Sequence, residues 1–259
     1  MNILAGDIGG TKTNLSIFSS ETGYRIPIAE LSFPSTRYGS LEDIIREFKS
    51  RVQIPFSRAC FGVAGPVLNG VAEITNLDWV VNENVIRSAF DLTAVGLLND
   101  LESVAYAIPI LQAEDIITLN KGVPVVNGTI AVLAPGTGLG EGFLTSETGR
   151  YVAHPSEGSH ASFAPENELQ MGLWKFLKEK GYRHISFERV CSGSLGIPNL
   201  YEYLKESGVA PEPEWLGDAL AASGDPTPVI FQAAHREEEP SALAAATISL
   251  FVEILGAEA

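Results

Sequence analysis

The residues Asp7-Ile8-Gly9-Gly10-Thr11-Lys12-Thr13 place a carboxylate at the end of an apolar run and follow it with two glycines and hydroxyls. Glycine lets backbone N–H groups approach phosphate oxygens with no Cβ in the way. Thr11 can add a hydroxyl donor, and Asp7 can hold Mg²⁺ through water. The Gly-Lys-Ser/Thr ending and longer spacer of a Walker loop are absent. The same residues also suit a hairpin with a Gly-Gly turn and a solvated aspartate. Gly136-Thr137-Gly138-Leu139-Gly140 is a second glycine turn, at the equivalent place in the second half. Alone it reads equally well as a tight hairpin. Two such turns in matching positions can grip phosphate from the two sides of a cleft.

The elements that must carry these turns follow from the pattern around them. Met1 to Gly6, Thr13 to Ser20 and Arg25 to Pro34 read as three strands of an antiparallel meander. Ser40 caps a helix whose Leu41, Ile44, Ile45 and Phe48 share one face. Arg58 to Pro66 is a buried strand and Asn82 to Phe90 a short helix. Leu92 to Leu98 is a strand that delivers Asn99-Asp100, with a helix over Glu102 to Leu111. Thr129 to Pro135, Glu141 to Ser146 and Arg150 to His154 then repeat the strand–turn–strand–strand order. Helices are expected over Pro165–Glu179, Glu188–Ser192, Ile197–Glu206, Trp215–Ala222 and Ser241–Glu258. A duplicated β-rich unit followed by helices implies an α/β protein of two similar lobes facing one cleft. The expected division is residues 1–111 and 112–259.

Composition narrows the partners. The chain has 259 residues, of which 17 are Lys or Arg and 32 Asp or Glu, a net charge of −15. Such a chain has no electrostatic footprint for nucleic acid and is a poor match for anionic membrane surfaces. Two cysteines, Cys60 and Cys191, make no disulfide framework, so a reduced cytoplasmic protein is expected. The N-terminal apolar run lacks a basic start and is interrupted by Asp7, so no signal peptide is read.

Taken together, six segments resemble the bacterial glucokinases. They are Gly6-Asp7-Ile8-Gly9-Gly10-Thr11, Ile74-Thr75-Asn76-Leu77-Asp78-Trp79, Leu98-Asn99-Asp100, Gly136-Thr137-Gly138-Leu139-Gly140, Glu157-Gly158-Ser159-His160, and Phe187-Glu188-Arg189-Val190 with Ser192-Gly193. The resemblance implies a two-lobed actin-like ATPase (ribonuclease H-like) fold with a central cleft, and transfer of the ATP γ-phosphoryl group to the 6-hydroxyl of glucose. It implies Asp100 as general base and Asn99, Asp100, Glu157, His160 and Glu188 as sugar contacts. It places nucleotide against Gly6, Asp7, Ile8, Gly9, Gly10, Thr11, Gly136, Thr137 and Gly138, with Asp7 positioning Mg²⁺. A related repressor–kinase family holds a structural zinc near His160 with a Cys-rich loop. No cysteine lies between His160 and Cys191, so zinc is not expected.

The glycine-rich adenosine motif that follows in the family is not found here, since Gly9-Gly10 is the only Gly-Gly pair in the chain. The second lobe is therefore expected to be incomplete. Apolar surface left uncovered on the first lobe would favour a homodimer. A noncatalytic sugar-binding or sensor protein that lost the nucleotide site is the alternative reading.

Overall fold

The computed structural model describes residues 1–74 and 77–259. Thr75 and Asn76, from the Ile74–Trp79 segment, lie outside them. The chain forms two compact units, Met1–Pro124 and Val125–Ala259. The sequence reading set the division after Leu111. Residues that follow still belong to the first unit, because Arg25 donates twice to the Asp115 carboxylate, at 2.6 and 2.8 Å.

The first unit opens with the expected meander, β1 (Asn2–Ile8), β2 (Lys12–Ser19) and β3 (Ala29–Pro34). The third strand starts four residues later than the sequence suggests. Pro27 has no N–H to offer a neighbour, and Arg25 is drawn to Asp115. Next comes α1 (Leu41–Val52), capped by the Ser40 hydroxyl, which accepts from Asp43 N–H at 3.2 Å. Its Leu41, Ile44, Ile45 and Phe48 are all buried, as the periodicity requires. Strand β4 (Arg58–Val63) follows, then a small sheet of β5 (Val67–Leu68), β6 (Val71–Glu73) and β7 (Val80–Asn82), helix α2 (Glu83–Phe90), β8 (Ala94–Asn99) and α3 (Asp100–Ala107). The small sheet escapes sequence reading because strands of two or three residues show no period. Helix α3 stops before the expected Leu111, and a 3₁₀ turn containing Pro109 takes over.

The main sheet has the order β3-β2-β1-β4-β8. β1 pairs antiparallel with β2 and parallel with β4, and β4 pairs parallel with β8. In register, Ile8 sits beside Val63 and Val63 beside Asn99. The carboxyl ends of three parallel strands therefore form one edge, which is where open α/β sheets bind ligands.

The second unit repeats the meander as β9 (Ile130–Pro135), β10 (Leu139–Glu147) and β11 (Arg150–Ser156), in the order β11-β10-β9. Helices α4 (Glu168–Glu179), α5 (Glu188–Cys191), α6 (Gly196–Glu206), α7 (Glu214–Ala222), α8 (Pro226–Ala234) and α9 (Ala242–Glu258) pack behind it. Their core is apolar and dense, with Leu173, Leu200, Leu216, Ile230 and Leu243 fully buried. Helix α8 is absent from the sequence reading, where Asp225-Pro226-Thr227-Pro228 looks like a break. Proline is tolerated in a first helical turn, and the Asp225 carboxylate caps Thr227 N–H at 3.1 Å.

Both cysteines are free. Cys191 is fully buried, and burial first, then Glu258 and Glu141, pushes its thiol up to about 12. No helix among the described residues is long and apolar enough to cross a membrane.

One buried hydroxyl holds the first glycine turn to the sheet. Ser35 is fully buried, donates to Gly9 C=O at 2.7 Å and lies 2.9 Å from the Thr13 hydroxyl. Its own N–H donates to Thr11 C=O at 3.0 Å. Ser35→Ala leaves a carbonyl and a hydroxyl unpaired in the interior, so it should cost about 1–3 kcal/mol. Thermal or urea unfolding reads this, and a variant as stable as the parent would show that the hydroxyl does not brace the turn.

Candidate active site

The first glycine turn is a tight hairpin between β1 and β2, closed by Gly9 N–H on Lys12 C=O at 3.0 Å. Asp7 and Thr11 are exposed on it, and Gly9 and Gly10 are partly so. Gly6 and Ile8 serve the interior. A Cβ on Gly6 would strike Phe61 and Leu15, and the Ile8 side chain is almost wholly buried. Asp7 is held from the neighbouring strand, where Asn14 Nδ2 donates to Asp7 Oδ2 at 3.3 Å.

Asn99-Asp100 stands two strands away on the same sheet edge. β1 and β8 flank β4, so at about 4.8 Å per strand the Asp7 and Asn99 strands lie roughly 10 Å apart. Asn99 caps α3, its Oδ1 accepting from Leu101 N–H at 3.0 Å and its Nδ2 donating to Gly65 C=O at 3.2 Å. That leaves Asn99 one amide proton for a ligand. Asp100 opens the helix, exposed, with Oδ1 accepting from Leu101 N–H at 2.8 Å. Helix α3 comes this close to the sheet because Gly62 has no side chain. A Cβ there would stand 2.7 Å from Ser103 Oγ.

In the second unit the glycine turn closes by Gly136 N–H on Gly138 C=O at 2.8 Å. Three residues from later in the chain brace it. Gly193 N–H donates to Gly136 C=O at 2.7 Å, and Ser194 Oγ donates to Thr137 C=O at 2.7 Å. The Thr227 hydroxyl, from the first turn of α8, donates to Gly193 C=O.

Glu157, His160 and Glu188 come together. Gly158–His160 forms a 3₁₀ turn after β11. The chain then pairs 161–163 with 185–187, through Phe163 N–H on Ile185 C=O and Phe187 N–H on Ala161 C=O. This pairing delivers Glu188 to His160. His160 Nε2 lies 3.6 Å from Glu157 Oε2 and 3.8 Å from Glu188 Oε2. The side chains of Glu157 and His160 are 89% and 60% exposed, Glu188 only 26%, so the first two meet solvent and the third is held. Glu188 also touches the glycine turn, for a Cβ on Gly138 would stand 2.9 Å from its Oε1.

Sequence reading missed the supports. Asn14 follows from the hairpin register, which pairs it with Asp7. Ser194 and Glu141 each adjoin a recognised segment, but nothing near Thr227 signals a role. Trp79 packs into the first unit's core, its Nε1 donating to Tyr38 C=O at 3.3 Å. Among the described residues no three His, Cys, Asp or Glu side chains cluster as a metal cage.

Comparison with known proteins decides the family. The family model described as Glucokinase matches residues 4–259. The chain belongs to the glucokinase family. A glucokinase of Trichormus variabilis is 36% identical over 271 residues, covering 99% of this chain and 78% of the relative. A crystal structure of glucokinase from an Antarctic psychrotroph superposes with a TM-score of 0.83 at 30% identity, covering all of this chain and 77% of that one. A glucokinase from Balamuthia mandrillaris, solved with glucose, shares the fold at a TM-score of 0.70 and 23% identity, covering 98% of this chain and 74% of that one. The family's actin-like ATPase fold is thus the fold of this chain.

Glu141 of β10 adds a pH dependence to the second unit. Its Oε1 is buried with no hydrogen-bond partner among the described residues, and a Cβ on Gly158 would collide with its Oε2. Burial first, then the charge of Glu258, raises its pKa above the ordinary 4.5, and burial raises that of Glu258 as well. The folded state therefore holds these protons more tightly than the unfolded chain. Stability should fall as pH rises from about 4.5 through the raised folded values. Glu141→Gln removes one of the two ionisations and should flatten that fall in melts between pH 5 and 7.5. An unchanged slope would show that Glu141 ionises freely in the fold.

Proposed function

We propose that this chain phosphorylates glucose at the 6-hydroxyl with ATP, using Asp100 as general base. The observation that carries the reading is the shared sheet edge, with the Gly9-Gly10 turn at one strand end and Asp100 at another. A sugar hydroxyl is a weak nucleophile until a carboxylate within hydrogen-bond reach accepts its proton. Leu101 N–H holds one Asp100 oxygen and leaves the other for that proton. As the sugar oxygen bonds the γ-phosphorus, the bond to the β,γ-bridging oxygen breaks and ADP departs.

Asn99, Glu157, His160 and Glu188 supply acceptors and donors for neutral sugar hydroxyls. The N–H groups of Gly9 and Gly136 close their own turns, and the backbone of Gly10, Thr11, Thr137 and Gly138 receives phosphate oxygens. Asp7 fits Mg²⁺, an ion that usually keeps its waters and binds one or two carboxylates plus substrate phosphates. When bound, that ion neutralises charge on the phosphates. Asp7 is exposed at the strand end beside the glycine turn and needs no cage of other ligands.

Asp100→Asn should still bind glucose and lose on the order of 10²–10⁴ in turnover, the usual size of a general-base contribution. A variant keeping more than a tenth of the parent rate would remove Asp100 from the role. A parent chain that binds glucose yet transfers no phosphoryl group would instead favour a sugar sensor.

Glu157→Gln and His160→Ala should each weaken glucose far more than ATP in calorimetry, since a hydrogen bond to a ligand hydroxyl is worth about 0.5–1.5 kcal/mol, and about 1.5–3 where one partner is charged. Unchanged glucose affinity in both would make these residues structural.

A further inference from the structure

We infer that Asn14 is a positioning residue for Asp7, clamped by Ser32 so that its amide fixes the Asp7 carboxylate toward the metal–phosphate side of the first glycine turn. The inference rests on the proposed role of Asp7. It is drawn from a row of three polar side chains across three strands. In register, Asp7 of β1 pairs with Asn14 of β2, and Asn14 with Ser32 of β3. Residues directly opposite on neighbouring strands point to the same face of a sheet. On this face Ser32 Oγ donates to Asn14 Oδ1 at 2.7 Å, and Asn14 Nδ2 donates to Asp7 Oδ2 at 3.3 Å.

The order of donors along the row is what matters. A side-chain amide has one accepting and one donating end. Ser32 engages the accepting end of Asn14, so the donating end must face Asp7. A carboxylate can only accept, so the two ends match without ambiguity. Asp7 itself is exposed, and an exposed carboxylate at a strand end otherwise samples several rotamers. Pinning one oxygen leaves the other in a defined direction for a hydrated cation.

The plain structural alternative is a cross-strand pair that only stabilises the sheet. The two differ in what they move. A positioning residue changes how nucleotide affinity depends on Mg²⁺. A sheet pair changes only the melting temperature. Ser16 lies two residues along the same strand and face, away from the turn, and serves as the control.

The experiment measures ATP affinity by calorimetry with and without Mg²⁺, and the Mg²⁺ concentration that half-saturates phosphorylation. It compares the parent with Asn14→Leu, Ser32→Ala, Ser16→Ala, Asp7→Asn and the Asn14→Leu/Asp7→Asn pair. Asn14→Leu should raise the half-saturating Mg²⁺ roughly three- to tenfold, the size of one modest hydrogen bond. It should reduce the gain in ATP affinity that Mg²⁺ brings and leave affinity without Mg²⁺ unchanged. Ser32→Ala should shift both in the same direction by less, and it guards against an Asn14→Leu chain that fails to fold. In the Asp7→Asn background Asn14→Leu should add nothing. Additive effects, or an Asn14→Leu response no larger than that of Ser16→Ala, overturn the inference while leaving Asp7 in place. An Asp7→Asn chain with unchanged Mg²⁺ dependence overturns the inference and the Asp7 assignment together.

Discussion

Parallel pairing of β1, β4 and β8 is the constraint on which the first unit depends. It sets Ile8, Val63 and Asn99 in one row and ends three strands at one edge. Two glycines make the packing around that row possible. Gly6 leaves room for Phe61 and Leu15 within the core, and Gly62 lets α3 approach through Ser103. A side chain at Gly62 would push α3 outward and carry Asp100 with it. The interior glycines of these strands are therefore as much a part of the site as the turn glycines.

The second unit solves a similar problem with different means. Its glycine turn lies at the end of a three-stranded meander, and later segments hold it. Gly193 and Ser194 bond to Gly136 and Thr137, and Thr227 bonds to Gly193. Glu188 then lies against both Gly138 and His160, so one side chain links the turn to the Glu157–His160 loop. Against that loop sits the Glu141 carboxylate, whose Oε1 is buried with no hydrogen-bond partner among the described residues. Burying it costs stability, and the cost grows as the carboxylate ionises.

The polar side chains of the two units also divide by partner. Ser35 is spent on the Gly9 carbonyl and the Thr13 hydroxyl, which makes it a support, whereas Asn99 bonds Leu101 N–H and Gly65 C=O and keeps one amide proton. Glu157 and His160 meet only at ion-pair distance and remain largely exposed, which suits them to a ligand.

The sequence by itself determined the elements whose signals are local. Ser40 and the Leu41, Ile44, Ile45, Phe48 face predict α1. The alternation around Gly9-Gly10 and Gly136-Thr137-Gly138 predicts both meanders. The resemblance to glucokinases adds the family and the residues to watch. Only the tertiary structure decided the rest. Arg25 and Asp115 meet across 90 residues, shortening β3 and extending the first unit past Leu111. Strands β5 to β7 exist through pairing alone, being too short to show a period. Gly6 and Ile8 turned inward because strand register, not motif membership, decides which way a residue points. The supports Ser35, Ser194 and Thr227 lie far from the turns they hold, and such partners come together only when the chain folds.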